Sequence, residues 1–255
     1  MTGIDLQTRL QVAKQASFIS GDELRRQFEG DWHDIQHAEG VAKAETASQE
    51  AIHTFLRQIF PNEEIWGKGH ESRPQATSFW VFDSLNGEEN FAAGNEHFAT
   101  TVAWVENGQP VVGVVSVPSK RALYWATKGG GAFYQDKSLH VRENSNPKDA
   151  IVLVGLGSGE ARRKGVKAAE ILQDRVRQIK IREAPALELC SIAAGTADAY
   201  LTYSVKPWDW IAARLILEEA GGKLTAADGS NMKLDTQAAL GGNDTISDQL
   251  RAILA

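Results

Sequence analysis

"SFWVFDSLNGEENF", residues 78–91, decides the fold. An apolar run, Phe79-Trp80-Val81-Phe82, ends on a carboxylate, Asp83, where a strand delivers a side chain to a site. Gly87 then permits a sharp turn, and Glu88 and Glu89 follow it. The loop is suited to a hard cation, except that Asn86 stands where a second carboxylate would be expected.

Downstream, FATTVAWV, the turn Glu106-Asn107-Gly108, PVVGVVSV, a turn over Pro118 to Lys120 and ALYWAT read as meandering antiparallel strands up to the glycines 129 to 131. Upstream, helices are expected from about Leu6 to Phe28 and from Lys43 to Ile59. In the second, Ile52, Phe55, Leu56 and Ile59 recur at helical spacing before Pro61. Two helices therefore precede the first expected strand.

Past Asn144 the pattern becomes alternation: strand IVLVGL, helix Glu160 to Val176, strand QIKIRE, helix ALELCSIAAG, strand AYLTYSV, helix Trp208 to Ala220. Strands alternating with helices predict a layered α/β half. The polar stretch Asn144 to Lys148 marks a boundary between an N-terminal half, 1–145, and a C-terminal half, 146–255. The two form one compact unit with the site between them.

The 255 residues carry a formal charge of -6, which disfavours nucleic acid and anionic membrane as partners. A single cysteine, Cys190, excludes an intrachain disulfide and fits a reducing compartment. The opening MTGIDLQTRL has no signal-peptide profile and no apolar stretch reaches membrane-spanning length, so a cytoplasmic location is expected.

Acidic residues recur at element ends: Glu45, Glu71 in GKGHESRP, Asp83, Glu88, Glu89, and Asp209 in KPWDWIAA. Magnesium needs several oxygen ligands, and carboxylates on loops beside strand ends converge as such ligands; the blander reading is dipole and cap stabilisation at helix starts. Gly155-Leu156-Gly157-Ser158-Gly159 follows a strand and opens a helix, so its amides suit an anion, though neither it nor Gly129-Gly130-Gly131 ends as a P-loop does. Cys190 sits in an apolar helix and reads as core, and His97 reads as a surface histidine or a ligand contact. The loop GDWHDIQHAEG, with Trp32 and His33, reads as a lid or a dimer contact.

Residues 80–133 resemble the core of the inositol monophosphatase family, whose loop reads Asp-Pro-Ile-Asp-Gly-Thr. KPWDWIAARLILEEAGGKLTAADG is similar to that family's Trp-Asp signature, and ALELCSIAAGTADAYLTY upstream matches as well. The resemblance spans roughly residues 5 to 255. It implies an inositol monophosphatase-like sugar-phosphatase fold, a layered α-β-α-β-α sandwich of the α/β (α+β) class. It further implies magnesium ions, or Mn2+ in their place, activating a water for attack on a phosphate ester, and a homodimer.

Position by position, the resemblance implies metal ligands at Asp83, Asp209 and Glu45, the last in place of an aspartate. His70 takes the place of a ligand glutamate, Asn86 that of a bridging aspartate, and Glu88 that of the threonine that orients water. It implies substrate contacts at Asn86, Gly87, Glu89, Ala184 and Asp209, with Pro185 stiffening the loop where a hydroxyl is usual. Catalytic groups are expected among Glu88, His70, Glu71 and Glu45.

Three functions follow. One is hydrolysis of a small phosphorylated metabolite (a sugar, cyclitol or nucleotide phosphate) at a rearranged metal site. Another is acid–base chemistry without metal on the same scaffold (elimination, cyclisation or isomerisation), with His70, Glu71, Glu88 and Glu89 as proton-transfer groups. The third is a non-catalytic metabolite-binding pseudo-phosphatase.

Overall fold

The computed structural model describes residues 5–30, 35–69 and 72–255. Helix α1 (Leu6–Phe28) starts at Asp5, whose Oδ1 accepts the Thr8 N–H at 2.8 Å. This satisfies one of the amides that a helix start leaves unpaired. Helix α2 (Ala38–Ile59) begins five residues before the expected Lys43, after His37 in extended conformation. Its first turn is small and polar, and so lacks the apolar stripe that marks the rest.

The first sheet contains β1 (Glu64–Gly67), β2 (Phe79–Asn86), β3 (Ala99–Glu106), β4 (Gln109–Val117), β5 (Ala122–Thr127), β6 (Ala132–Tyr134) and β7 (Lys137–Ser138), in that spatial order. The meander from β2 to β5 matches the expectation; β6 and β7 extend it beyond the glycines 129 to 131, where no strand is expected. The opposite edge does not match: β1 precedes the expected first strand and pairs parallel to β2, with Gly67 opposite Phe82. Four residues with a half-exposed start are too short for an alternation signal. This parallel edge carries the next residue, Lys68, toward the end of β2.

The second sheet is ordered β11 (Lys223–Ala226), β12 (Ala239–Gly242), β10 (Ala199–Thr202), β8 (Ile151–Gly155), β9 (Gln178–Lys180). β8 runs parallel to β9 and β10, whereas β12 is antiparallel to both its neighbours. Around the sheet lie α4 (Gly159–Leu172), α5 (Pro185–Ala193), α6 (Pro207–Glu219) and α7 (Asp244–Leu254), and the short α3 (Glu88–Ala92) follows β2.

Alternation of side chains along each strand assigns the layers. Trp80, Phe82, Val102 and Trp104 face α1 and α2, meeting Leu10, Ala13, Ile52 and Leu56. Phe79, Val81, Ala103 and Val105 face the opposite way, onto α5 and α6, whose Leu189, Ile192, Ile211 and Ile216 also receive Leu153, Tyr200 and Leu224 of the second sheet. Val152, Val154 and Leu201 point outward onto Leu172 of α4 and Leu250 of α7. Helix layers thus enclose and separate two sheets in an α-β-α-β-α sandwich. A strand covered on both faces must be apolar throughout, which is why β2 reads as a continuous run. Burying each large side chain contributes about 1.5–3 kcal/mol.

Three local devices hold the sandwich. On β4, a Cβ at Gly113 would lie 2.5 Å from the Ala212 carbonyl oxygen, so glycine lets the backbone of α6 rest on the sheet. The buried Arg9 forks onto Glu63 at 2.8 and 2.9 Å and lies 3.7 Å from the Trp104 ring centre, while Trp80 Nε1 donates to Glu63 at 2.7 Å. Between the sheets, the chain is strapped to buried Asp198, which accepts from Arg142 at 2.9 Å, Asn144 at 3.0 Å and the Ile151 N–H at 2.8 Å.

Candidate active site

Asp83 and Asn86 are three residues apart, so in a regular strand they would point to opposite faces. The pairing of β2 with β3 shifts register between them, and this bulge brings them together. Asn86 Nδ2 donates to Asp83 Oδ2 at 3.0 Å, and the Leu85 N–H donates to Asp83 Oδ1 at 3.1 Å. The Asp83 N–H donates to Thr101 Oγ1 of β3 at 3.0 Å, and that hydroxyl donates to the Trp208 carbonyl at 3.0 Å. Thr101 therefore ties the strand end to the start of α6.

Asp209 enters from α6. Pro207 opens the helix, and Asp209 Oδ2 turns back to accept the Lys206 N–H at 2.7 Å. Its other oxygen accepts from Asn86 Nδ2 at 3.3 Å. One amide nitrogen thus bridges two carboxylates from opposite halves of the chain, and Asn86 Oδ1 accepts the Ala186 N–H at 3.0 Å. Asn86 is buried and fully engaged.

The electrostatics follow from this enclosure. Burial pushes the Asp83 carboxyl up, against the downward pull of the Asn86 and Leu85 donors and of Lys68. Burial and then the neighbouring Asp83 charge push Asp209 up to about 8. Such a pair is short of positive charge.

The cation that the chain supplies stands slightly outside. Lys68 Nζ lies 2.7 Å from Glu45 Oε1 of α2 and contacts Glu88 Oε1 at the start of α3. Sequence reading missed Lys68 and Thr101. A lysine between two glycines directly after a short strand was the available signal for the first; nothing in FATTVAWV marks the second.

Lys68, Asp83, Asn86, Glu88 and Asp209 line a cleft of about 380 Å³, with Glu89 and Lys206 on its wall. Gly87 has φ 97°, and a Cβ there would sit 2.9 Å from the His97 carbonyl oxygen and 3.2 Å from Ala184 Cβ. Ala184 is fully buried behind it and does not line the cleft. His70 and Glu71 lie outside the described residues, as do Trp32 and His33.

Both glycine-rich loops hold anions of their own. Leu156 and Gly157 donate their N–H groups to Glu183 at 2.6 and 3.3 Å, and Gly129 and Gly131 donate theirs to Glu219 at 2.8 and 2.9 Å. His97 Nε2 lies 3.2 Å from the buried Glu188, which Arg182 also binds, at a second cavity away from the acidic pair. Cys190 is buried in α5 and its thiol is pushed well up by burial, consistent with a core role.

Whether these residues fit a divalent cation depends on which end of the cluster is tested. At the inner end, Asp83 and Asp209 present facing carboxylates raised by burial and, for Asp209, by the charge of Asp83, a donor set suited to one hard cation. At the outer end, Glu45 and Glu88 already share an ammonium group. Among the described residues no group of three or more His, Cys, Asp or Glu side chains is arranged to hold a metal.

Carboxylates from the two halves, Asp83 and Asp209, meet across one amide in a layered α-β-α-β-α sandwich, an architecture found also in known proteins of the phosphatase class. The chain matches the inositol monophosphatase family over residues 5–254, and it belongs to that family. It is 31% identical over 229 residues to fructose-1,6-bisphosphatase/inositol-1-monophosphatase of Aquifex aeolicus, covering 87% of this chain and 86% of the relative. To inositol-1-monophosphatase of Rhizobium meliloti it is 31% identical over 255 residues, covering 96% and 95%. The solved inositol monophosphatase from Anabaena (Nostoc) superposes with a TM-score of 0.86 at 28% identity, covering 98% of this chain and 95% of that one. The fold is the inositol monophosphatase fold.

Proposed function

We propose that the protein hydrolyses the phosphate monoester of a small sugar, cyclitol or nucleotide in the cleft between its sheets, at a metal site reduced to Asp83 and Asp209. The observation that carries this is the facing of those two carboxylates across the Asn86 amide, in a chain whose whole length belongs to the family. A magnesium or manganese ion held by the pair would supply Lewis acidity toward the phosphoryl oxygens and lower the pKa of a bound water.

The chain's own groups do the rest. Thr101 and the Lys206 N–H fix the orientation of the two aspartates. Glu88, at the exposed mouth and held by Lys68, accepts the proton of the attacking water. Glu89 and the Gly87 backbone meet the hydroxyls of the substrate. Glu45 acts through Lys68 rather than on the substrate. The active species is a homodimer in the cytoplasm.

A panel of sugar, cyclitol and nucleotide phosphates with magnesium or manganese tests the reading. Phosphate release that stops with chelator and is lost in Asp209→Asn supports it; a folded protein that releases none across the panel refutes it.

A second reading has its own support. Lys68 Nζ stands within the acidic cluster, between Glu45 and Glu88, as suits acid–base chemistry without metal. Turnover that survives chelator identifies it.

A further inference from the structure

We propose that Lys68 is a built-in cation: its ammonium group fills the position between Glu45 and Glu88 that a second divalent ion would otherwise occupy, leaving only the Asp83–Asp209 end open to an exchangeable metal.

The placement follows from the parallel edge strand. β1 pairs with β2 so that Gly67, its last residue, stands opposite Phe82, and the residues that follow these two in the chain are Lys68 and Asp83. Lys68 thereby lines the same cleft as Asp83 and Asp209. It meets Glu45 of α2 at 2.7 Å and Glu88 at the start of α3, so three separate elements converge on one positive charge.

An ammonium group donates in three directions and accepts from none, so carboxylates can surround it much as they surround a metal ion. It cannot share that position with a dication, because like charges at contact distance repel strongly away from bulk water. Its charge also reaches Asp83 and Asp209, drawing both carboxyls down against the larger push of burial. Among the described residues, Asn86 is neutral, and Lys206 lines the same cleft and offers its backbone N–H to Asp209, whereas Lys68 is the cation that meets Glu45 and Glu88. Unlike a metal, a covalently attached cation survives chelation, so the outer half of the site stays assembled when metal is scarce.

The inference rests on the proposed metal-assisted reading for the inner end only, and its test separates the two. Mn2+ binding is counted by electron paramagnetic resonance on the full chain, wild type against Lys68→Glu and Lys68→Met, with thermal melting in chelator and in Mn2+. The wild type is expected to take up about one Mn2+ per chain and Lys68→Glu about two. Lys68→Met is expected to melt lower in chelator than the wild type and to gain more from Mn2+, because Glu45 and Glu88 are left uncompensated until an ion enters. A Lys68→Glu chain that folds only with Mn2+ supports the inference equally. Two Mn2+ on the wild type overturns it, as does unchanged stoichiometry and melting in both variants. A gain of an ion in Lys68→Glu, with no phosphate release by the wild type in Mn2+, sinks the hydrolase reading and leaves Lys68 in its role; release by the wild type with no gain in Lys68→Glu does the reverse.

Discussion

Asn86 and Asp209, 123 residues apart in sequence, meet at 3.3 Å through the same amide nitrogen that binds Asp83. The floor of the cleft is therefore a neutral donor between two carboxylates rather than a third acid, and its behaviour without metal follows from that.

Asn86→Asp puts a third carboxylate among the other two. The variant is expected to melt below the wild type in chelator, and to bind Mn2+ more tightly by on the order of tenfold or more, since added ligand charge tightens hard-cation sites. Calorimetric titration with Mn2+ measures the second effect; equal or weaker affinity would show that Asn86 is not at a ligand position.

The pH dependence has a definite sign. With Asp209 raised from 3.8 to about 8, the metal-free folded chain holds a proton that the unfolded chain has lost. Stability from this group is fully present below pH 3.8 and is lost as pH rises through about 8. In chelator the melting temperature should decline across that window, and Asp209→Asn should flatten the decline. Metal binding near neutral pH should also release a proton, read by calorimetry in buffers of different ionisation enthalpy.

Glu88→Gln removes the proposed proton acceptor while leaving Asp83 and Asp209 intact. A loss of kcat of about 10²–10⁴ with little change in Mn2+ affinity is expected. A loss of metal binding in parallel would instead place Glu88 among the ligands.

The scaffold makes separate demands. Gly113→Ala drives a methyl group into the Ala212 carbonyl and should cost about 1–3 kcal/mol. Arg9→Ala strands Glu63 beneath Trp80 and should cost about 3 kcal/mol. Urea denaturation of each variant measures both.

Where the sequence was legible, a physical pattern was strong. Helix α1 runs over Leu6–Phe28 as its periodicity predicts, and β5 over Ala122–Thr127. Asp83 and Asp209 were readable because each closes an apolar run or opens a helix. Short or half-polar elements escaped: β1, the single-turn α3, and β11 and β12, which contribute four residues each. Helix α7 (Asp244–Leu254) was missed although Asn243 caps it, its Oδ1 accepting the Ile246 N–H at 2.8 Å.

The sequence by itself determined the order of the long helices and strands, because periodicity and continuous apolar runs mark them, and a layered α/β C-terminal half; the full α-β-α-β-α layering was what the family resemblance implied. It also singled out Glu88, Glu89 and Asp209 at helix starts, whereas Glu45, expected at a helix start, lies inside α2, and Asp83, expected at a strand end, lies inside β2, which runs on to Asn86. Only the tertiary structure decided what surrounds them. A register shift in β2 turns Asn86 toward Asp83, and a parallel edge strand brings Lys68 to Glu45 and Glu88. Pairing between strands fixes both placements, and pairing is a property of partners rather than of any one stretch of chain.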